Sequence, residues 1–163
     1  MATVTTKDIS NKPKLSGAPY GNVYREKYRF QTNASGVFAD SDQTTAVVQN
    51  DVVRLGILPA GLEMHEALTI ISDAFAASTT FSLGFLYTDG VDVTAIPQNA
   101  AYFGSSLAAS STGRIVATGV VAPVILPKDA YLVWTQTGAD NSAAGIADIL
   151  VTGIWRGLPT TYP

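Results

Sequence analysis

Histidine is the side chain that most readily exchanges a proton near neutral pH, and the 163-residue sequence holds one, His65. It lies in an alternating apolar and polar stretch beside Glu66, and no Gly-x-Ser-x-Gly elbow sets a serine on a strained turn for it to activate. His65 is therefore expected to be a sheet residue facing solvent or an interface. Carboxylates offer a second chemistry. Asp40 and Asp42 bracket Ser41, and Asp89 and Asp92 lie around Gly90. Acids so placed could flank a glycosidase cleft or ligate calcium. Both groups fall where turns are expected, neither has EF-hand spacing, and aspartate in a turn accepts hydrogen bonds from its own backbone. Gly17-Ala18-Pro19-Tyr20-Gly21 lacks the lysine and the following helix of a phosphate-binding loop. Asn33-Ala34-Ser35 matches a glycosylation sequon and reads as a turn. With no cysteine in the chain, a disulfide framework and a thiolate metal site are excluded. No catalytic, metal or cofactor-binding set is expected.

The chemistry that remains is that of surfaces. Hydrophobic residues make up 47% of the chain and charged residues 14%, against roughly 25% charged in an average globular protein. So thin an ionic coat leads us to expect a surface covered by a partner or by further copies, as in a homodimer or homotrimer. Charge is unevenly spread: residues 1–29 carry six bases and two acids, the remainder four bases and eleven acids. A pI near 4.9 opposes the attraction that dominates nucleic-acid binding, so the basic segment is expected to meet an acidic protein surface. No apolar run approaches the ~18 residues of a membrane helix, and the first residues lack the pattern of a signal peptide. A cytosolic site of synthesis and no membrane partner are the expectations.

The elements that must present these surfaces are strands. Residues 1–21 hold Pro13, Pro19, Gly17 and Gly21 and no periodic apolar face, which predicts an extended N-terminal arm followed by one domain over residues 22–163. In residues 24–30, Tyr24, Tyr28 and Phe30 fall on one side and Arg25, Lys27 and Arg29 on the other. Strict alternation over residues 62–71 groups Leu62, Met64, Leu68 and Ile70 on one face. Further strands are expected over residues 81–88 (Phe81, Leu83, Phe85 and Tyr87 against Ser82, Gly84, Leu86 and Thr88), 114–118, 131–136 and 146–155, the last turning Ala147, Ile149, Val151 and Trp155 inward. Asp73 to Ala77 is too short to nucleate a helix. Gly56-Ile57-Leu58-Pro59-Ala60-Gly61-Leu62 and Val124-Ile125-Leu126-Pro127-Lys128-Asp129-Ala130-Tyr131-Leu132 echo each other as two proline corners. The fold class is all-β, a jelly-roll-like antiparallel β-sandwich with an extended N-terminal arm.

Residues 24–157 resemble the small jelly-roll decoration, or cement, proteins of tailed-bacteriophage heads. The resemblance lies in Val53-Arg54-Leu55-Gly56-Ile57-Leu58-Pro59-Ala60-Gly61, Thr80-Phe81-Ser82-Leu83-Gly84-Phe85, Leu126-Pro127-Lys128-Asp129-Ala130-Tyr131-Leu132 and the closing Ala147-Asp148-Ile149-Leu150-Val151-Thr152-Gly153-Ile154-Trp155. It implies a non-enzymatic virion protein that oligomerises on the capsid exterior and bridges major capsid protein subunits. An arm contacting the capsid through Lys7, Lys12, Pro13, Lys14, Tyr20 and Tyr24 is expected on that reading. Two other readings stay open. A receptor- or carbohydrate-binding module of a tail fibre would need exposed loop aromatics, for which Tyr102, Phe103 and Trp155 are the candidates. A hydrolase would lose activity on His65→Ala.

Overall fold

Wherever the sequence alternates large apolar with small or polar residues, the chain runs extended, because period-two patterning gives a strand one face to bury. The computed structural model describes residues 2–5, 22–117, 119 and 122–157. Within them lie β1 Thr3–Thr5, β2 Val23–Thr32, β3 Val52–Leu58, β4 Leu62–Asp73, β5 Thr80–Tyr87, β6 Asn99–Ala108, β7 Gly113–Val116, β8 Val124–Ile125, β9 Ala130–Gln136 and β10 Gly145–Trp155. One sheet has the order β1-β3-β9-β5-β6, and the other runs β2-β10-β4-β7 with β8 also on β4. The antiparallel pairings nest: β2 with β10, β3 with β9, β4 with β7 and β8, β5 with β6. The chain is thus one long ribbon rolled on itself and closed by the β10–β4 and β9–β5 ladders. This is a jelly-roll-like sandwich, as the alternation predicts.

The core lies between the sheets. Trp134 of β9 is fully buried, stacked on Phe81 at 3.6 Å between ring centroids, with Phe30 at 4.8 Å and Phe75 at 5.7 Å. Its Nε1 donates to Gln136 Oε1 at 3.2 Å, and Gln136 Nε2 donates to the Ala139 carbonyl, so the polar atoms of this core are satisfied. At the same end buried Asn141 ties three loops together: its Nδ2 donates to Thr32 Oγ1 and to the Ala143 carbonyl, and its Oδ1 accepts from the Ala76 N–H. The two proline corners meet: Leu126 N–H donates to the Leu62 carbonyl and Gly61 N–H to the Leu126 carbonyl. Their echo in sequence therefore has a counterpart in space.

Two expectations are corrected, and one strand is added that the sequence reading does not predict. On β4 the buried set is Leu62, Met64, Ala67, Thr69 and Ile71, while Leu68 and Ile70 face outward. The register against β10 slips between Thr152 and Gly153, leaving His65 as an extra residue, and such a bulge reverses the phase of every side chain beyond it. Glycine is needed there because a Cβ on Gly153 would lie 2.2 Å from the Glu63 carbonyl oxygen. Secondly, β6 lacks a clean alternation and its register against β5 is irregular, which hid it from a periodicity argument. Thirdly, the leading residues are not all arm. Thr3–Thr5 adds to β3 as a parallel strand with Val4 buried. Asp51 Oδ1 accepts from Ala2 N–H at 2.9 Å and Asp42 Oδ1 from Thr5 N–H at 3.1 Å, so carboxylates supply the anchoring that apolar periodicity does not.

Gly153→Ala should destabilise the domain by about 1–3 kcal/mol, the usual range for forcing an atom into packed structure. Thermal unfolding followed by circular dichroism measures it, and an unchanged midpoint would show that the bulge relaxes freely.

Candidate interaction surface

Five of the seven lysine and arginine residues among the described residues (Arg25, Lys27, Arg29, Arg114 and Arg156) belong to the outer face of the β2–β10–β4–β7 sheet and its end. On β2 the inward positions are taken by Tyr24, Tyr28, Phe30 and Thr32, so Val23, Arg25, Lys27 and Arg29 must point out. Register then sets the rows across the sheet. Arg29 lies beside Asp148, Ile70 and Arg114, and Lys27 beside Leu150, Leu68 and Val116. Arg25 lies beside Thr152 and Glu66. Two of the four large apolar side chains exposed among the described residues, Val23 (68%) and Val116 (53%), are on this face. With half-buried Leu68, Ile70, Leu150 and Ile154, they make an apolar band bordered by cations.

Some of these charges are already engaged. Arg29 grips Asp148 with two hydrogen bonds, Nε at 2.8 Å and Nη2 at 3.1 Å, and Lys27 Nζ stands 3.8 Å from the same carboxylate. The Arg29 hydrogen bond, more than any other influence, holds the Asp148 carboxyl below its ordinary range. Near the β8 end of the sheet Glu63 accepts from Arg156 Nε and from His65 Nε2, the latter at 2.8 Å. Those bonds, Arg156's first, draw the Glu63 pKa down from its ordinary 4.5 to about 2. His65 is thus a surface partner of Glu63. Arg25 and Arg114 are exposed and make no ion pair or hydrogen bond among the described residues.

Under this face the inward side chains of β2 form a polar cluster. Tyr24 Oη donates to the Glu26 carboxylate and lies 2.7 Å from Tyr28 Oη, which donates to the Ile57 carbonyl at 3.0 Å. Burial, first of all, pushes both phenols above their ordinary value. The Tyr28 ring rests on Gly56, where a Cβ would come within 2.4 Å of it. Tyr24 is therefore a core residue, not part of a capsid-contact arm, because its position in β2 turns it inward. Lys7, Lys12, Pro13, Lys14 and Tyr20 lie outside the described residues.

The other candidates fall elsewhere. Asp89 accepts from the Val91 N–H and from Lys128, and Asp92 from the Val93 and Gln98 N–H groups, the turn role expected of them. Among the described residues no three His, Asp or Glu side chains gather as a metal site. Phe103 is buried, Tyr102 is half-buried with its hydroxyl donating to the Ala122 carbonyl, and Trp155 Nε1 donates to the Ala60 carbonyl. These aromatics do not form an exposed loop cluster. Sequence reasoning missed Asp148, Leu150, Leu68 and Arg114 as neighbours of the basic strand; only pairing across strands assembles them.

Geometry defines the class: a jelly-roll-like β-sandwich whose distinguishing surface is a broad cationic and apolar sheet face. No family model matches the chain, and no curated protein sequence matches it. Solved structures share the fold. A chain in the capsid of Ralstonia phage GP4 is 14% identical with a TM-score of 0.61, the match covering 98% of this chain and 100% of that one. A chain in the cyanophage Pam1 capsid asymmetric unit is 16% identical with a TM-score of 0.55, covering 91% of this chain and 95% of that one.

Because the folded-state pKa of Glu63 is lowered, its contribution to stability is present above the unfolded value of 4.5 and lost as pH falls through about 2. Glu63→Gln should accordingly flatten the decline of the unfolding midpoint between those limits. A titration of that midpoint with an unchanged acid slope would remove Glu63 from the account.

Proposed function

We propose that this protein is a non-enzymatic structural component of a tailed-phage head: a decoration protein that sits on the capsid exterior, oligomerises and bridges major capsid protein subunits. The observation that carries this reading is the near end-to-end likeness, in both directions, to chains in two phage capsids. The likeness runs over 98% of this chain and 100% of the other. The jelly-roll resemblance of residues 24–157 and the cationic, partly apolar sheet face support it, since a lattice-bound protein must bury one face against its neighbours. Residues 6–21, with Lys7, Lys12 and Lys14 against Asp8, would add a basic segment that lies along an acidic neighbour.

A protein that binds the assembled shell and not its released subunits stabilises the shell by mass action. Particles stripped of it should rupture at a lower temperature than decorated ones, and equal thresholds would reduce it to a passive coat. Mass spectrometry of purified particles, followed by a particle image, tests the placement directly. In light scattering at micromolar concentration the isolated protein should run as a dimer or trimer; a stable 17.1 kDa species would refute self-association. Replacing residues 6–21 with a glycine–serine linker of equal length, which retains β1, should leave the unfolding midpoint in place and lower occupancy on stripped capsids. Undiminished occupancy would make the segment irrelevant to binding.

A further inference from the structure

We propose that the free edge of β2 captures an extended acidic segment of a neighbouring protein as an added β-strand. The parity of hydrogen bonding on β2 shows which backbone groups are available. Trp155 N–H donates to the Asn22 carbonyl, and the β2–β10 register is unbroken from Val23↔Ile154 to Thr32↔Gly145. In an antiparallel pair the residues that exchange hydrogen bonds alternate with those that do not. The even residues, Tyr24, Glu26, Tyr28 and Phe30, therefore bond to β10. The odd residues turn their N–H and C=O groups to the opposite edge, and the far end of the strand agrees: Ala39 N–H donates to the Gln31 carbonyl and Asn33 N–H to the Val37 carbonyl. Residues 37–39 thus cover the edge only at Gln31 to Asn33. From Val23 to Arg29 the outward groups of Val23, Arg25, Lys27 and Arg29 have no partner among the described residues.

Those same odd residues put three cations along the edge on the sheet's outer face. Charge decides the occupant. If two copies joined by their β2 edges about a two-fold axis, Arg25, Lys27 and Arg29 would face their own duplicates, an arrangement that costs stability and that edge lysines commonly serve to prevent. An incoming strand with carboxylates on the corresponding face instead meets Arg25, which has no partner among the described residues, and Lys27, which is only loosely held by Asp148 at 3.8 Å. The residues interleaved with those acids turn to the other face of the sheet, beside inward Tyr24, Tyr28 and Phe30, where apolar side chains extend the buried layer. The incoming segment therefore alternates acidic and apolar residues. Backbone hydrogen bonds supply affinity and the cations select the partner. The inference rests on the head-decoration reading only for the partner's identity, a protein of the capsid lattice.

The test uses the full chain and two synthetic peptides, one alternating glutamate with valine and one alternating lysine with valine. Amide hydrogen exchange read by NMR should show new protection at Val23, Arg25, Lys27 and Arg29 with the glutamate peptide alone, while Tyr24, Glu26 and Tyr28, already bonded to β10, stay as they were. Arg25→Glu with Lys27→Glu should weaken that binding about tenfold or more, from two lost ion pairs and the repulsion that replaces them. Lys27→Pro removes an N–H that bonds nothing in the sheet, so the domain should stay folded by its thermal transition and lose the protection, whereas Lys27→Gln should keep most of it. Equal binding of both peptides, no new protection at the odd amides, or protection of those amides by a second copy at high concentration would overturn the proposal. A chain that captures the peptide but never enters phage particles would leave the edge assignment standing and remove the head-decoration reading.

Discussion

The strand β10 is hydrogen-bonded along both sides, to β2 and to β4, and every other feature of its sheet takes its orientation from that double pairing. With Ala147, Ile149 and Val151 buried between the sheets, Asp148, Leu150 and Thr152 have no choice but the outer face. There they receive Arg29, Lys27 and Arg25 from one neighbour and Ile70, Leu68 and Glu66 from the other. A central strand paired on both sides cannot slip by one residue without inverting core and surface together. The outer face is thus as firmly specified as the core.

The bulge at His65 shows how one inserted residue redistributes that surface. Upstream of it Met64 points inward and Glu63 outward; beyond it Ala67 points inward and Leu68 outward. Without the slip, Leu68 and Ile70 would fall on the buried side and the apolar band on the outer face would vanish. Gly153 permits the slip because its missing Cβ leaves room for the Glu63 carbonyl. Glu63 and His65, two residues apart on the strand, share the outer face, where Arg156 completes an ion-paired group.

Edges are handled differently in the two sheets. The outer side of β3 is closed by β1, whose short length is compensated by Asp51 and Asp42 accepting from its flanking N–H groups. Among the described residues the long edge of β2 is closed only where residues 37–39 fold back, and along the rest of it like charges disfavour self-pairing and favour an acidic strand.

Much of this was legible in the sequence. The period-two patterns of Tyr24 to Phe30, Phe81 to Tyr87 and Ala147 to Val151, and the absence of cysteine, determined an all-β sandwich, its buried aromatic and aliphatic faces, and a basic strand with one apolar side. They do so because alternation is a local property that each strand satisfies on its own. The phase of β4 after His65, the irregular β6, the return of Thr3 to Thr5 onto β3, and the gathering of five cations on one face were decided only by tertiary structure. Each of these depends on which strand lies next to which, and pairing between residues far apart in the chain leaves no periodic trace within any one segment.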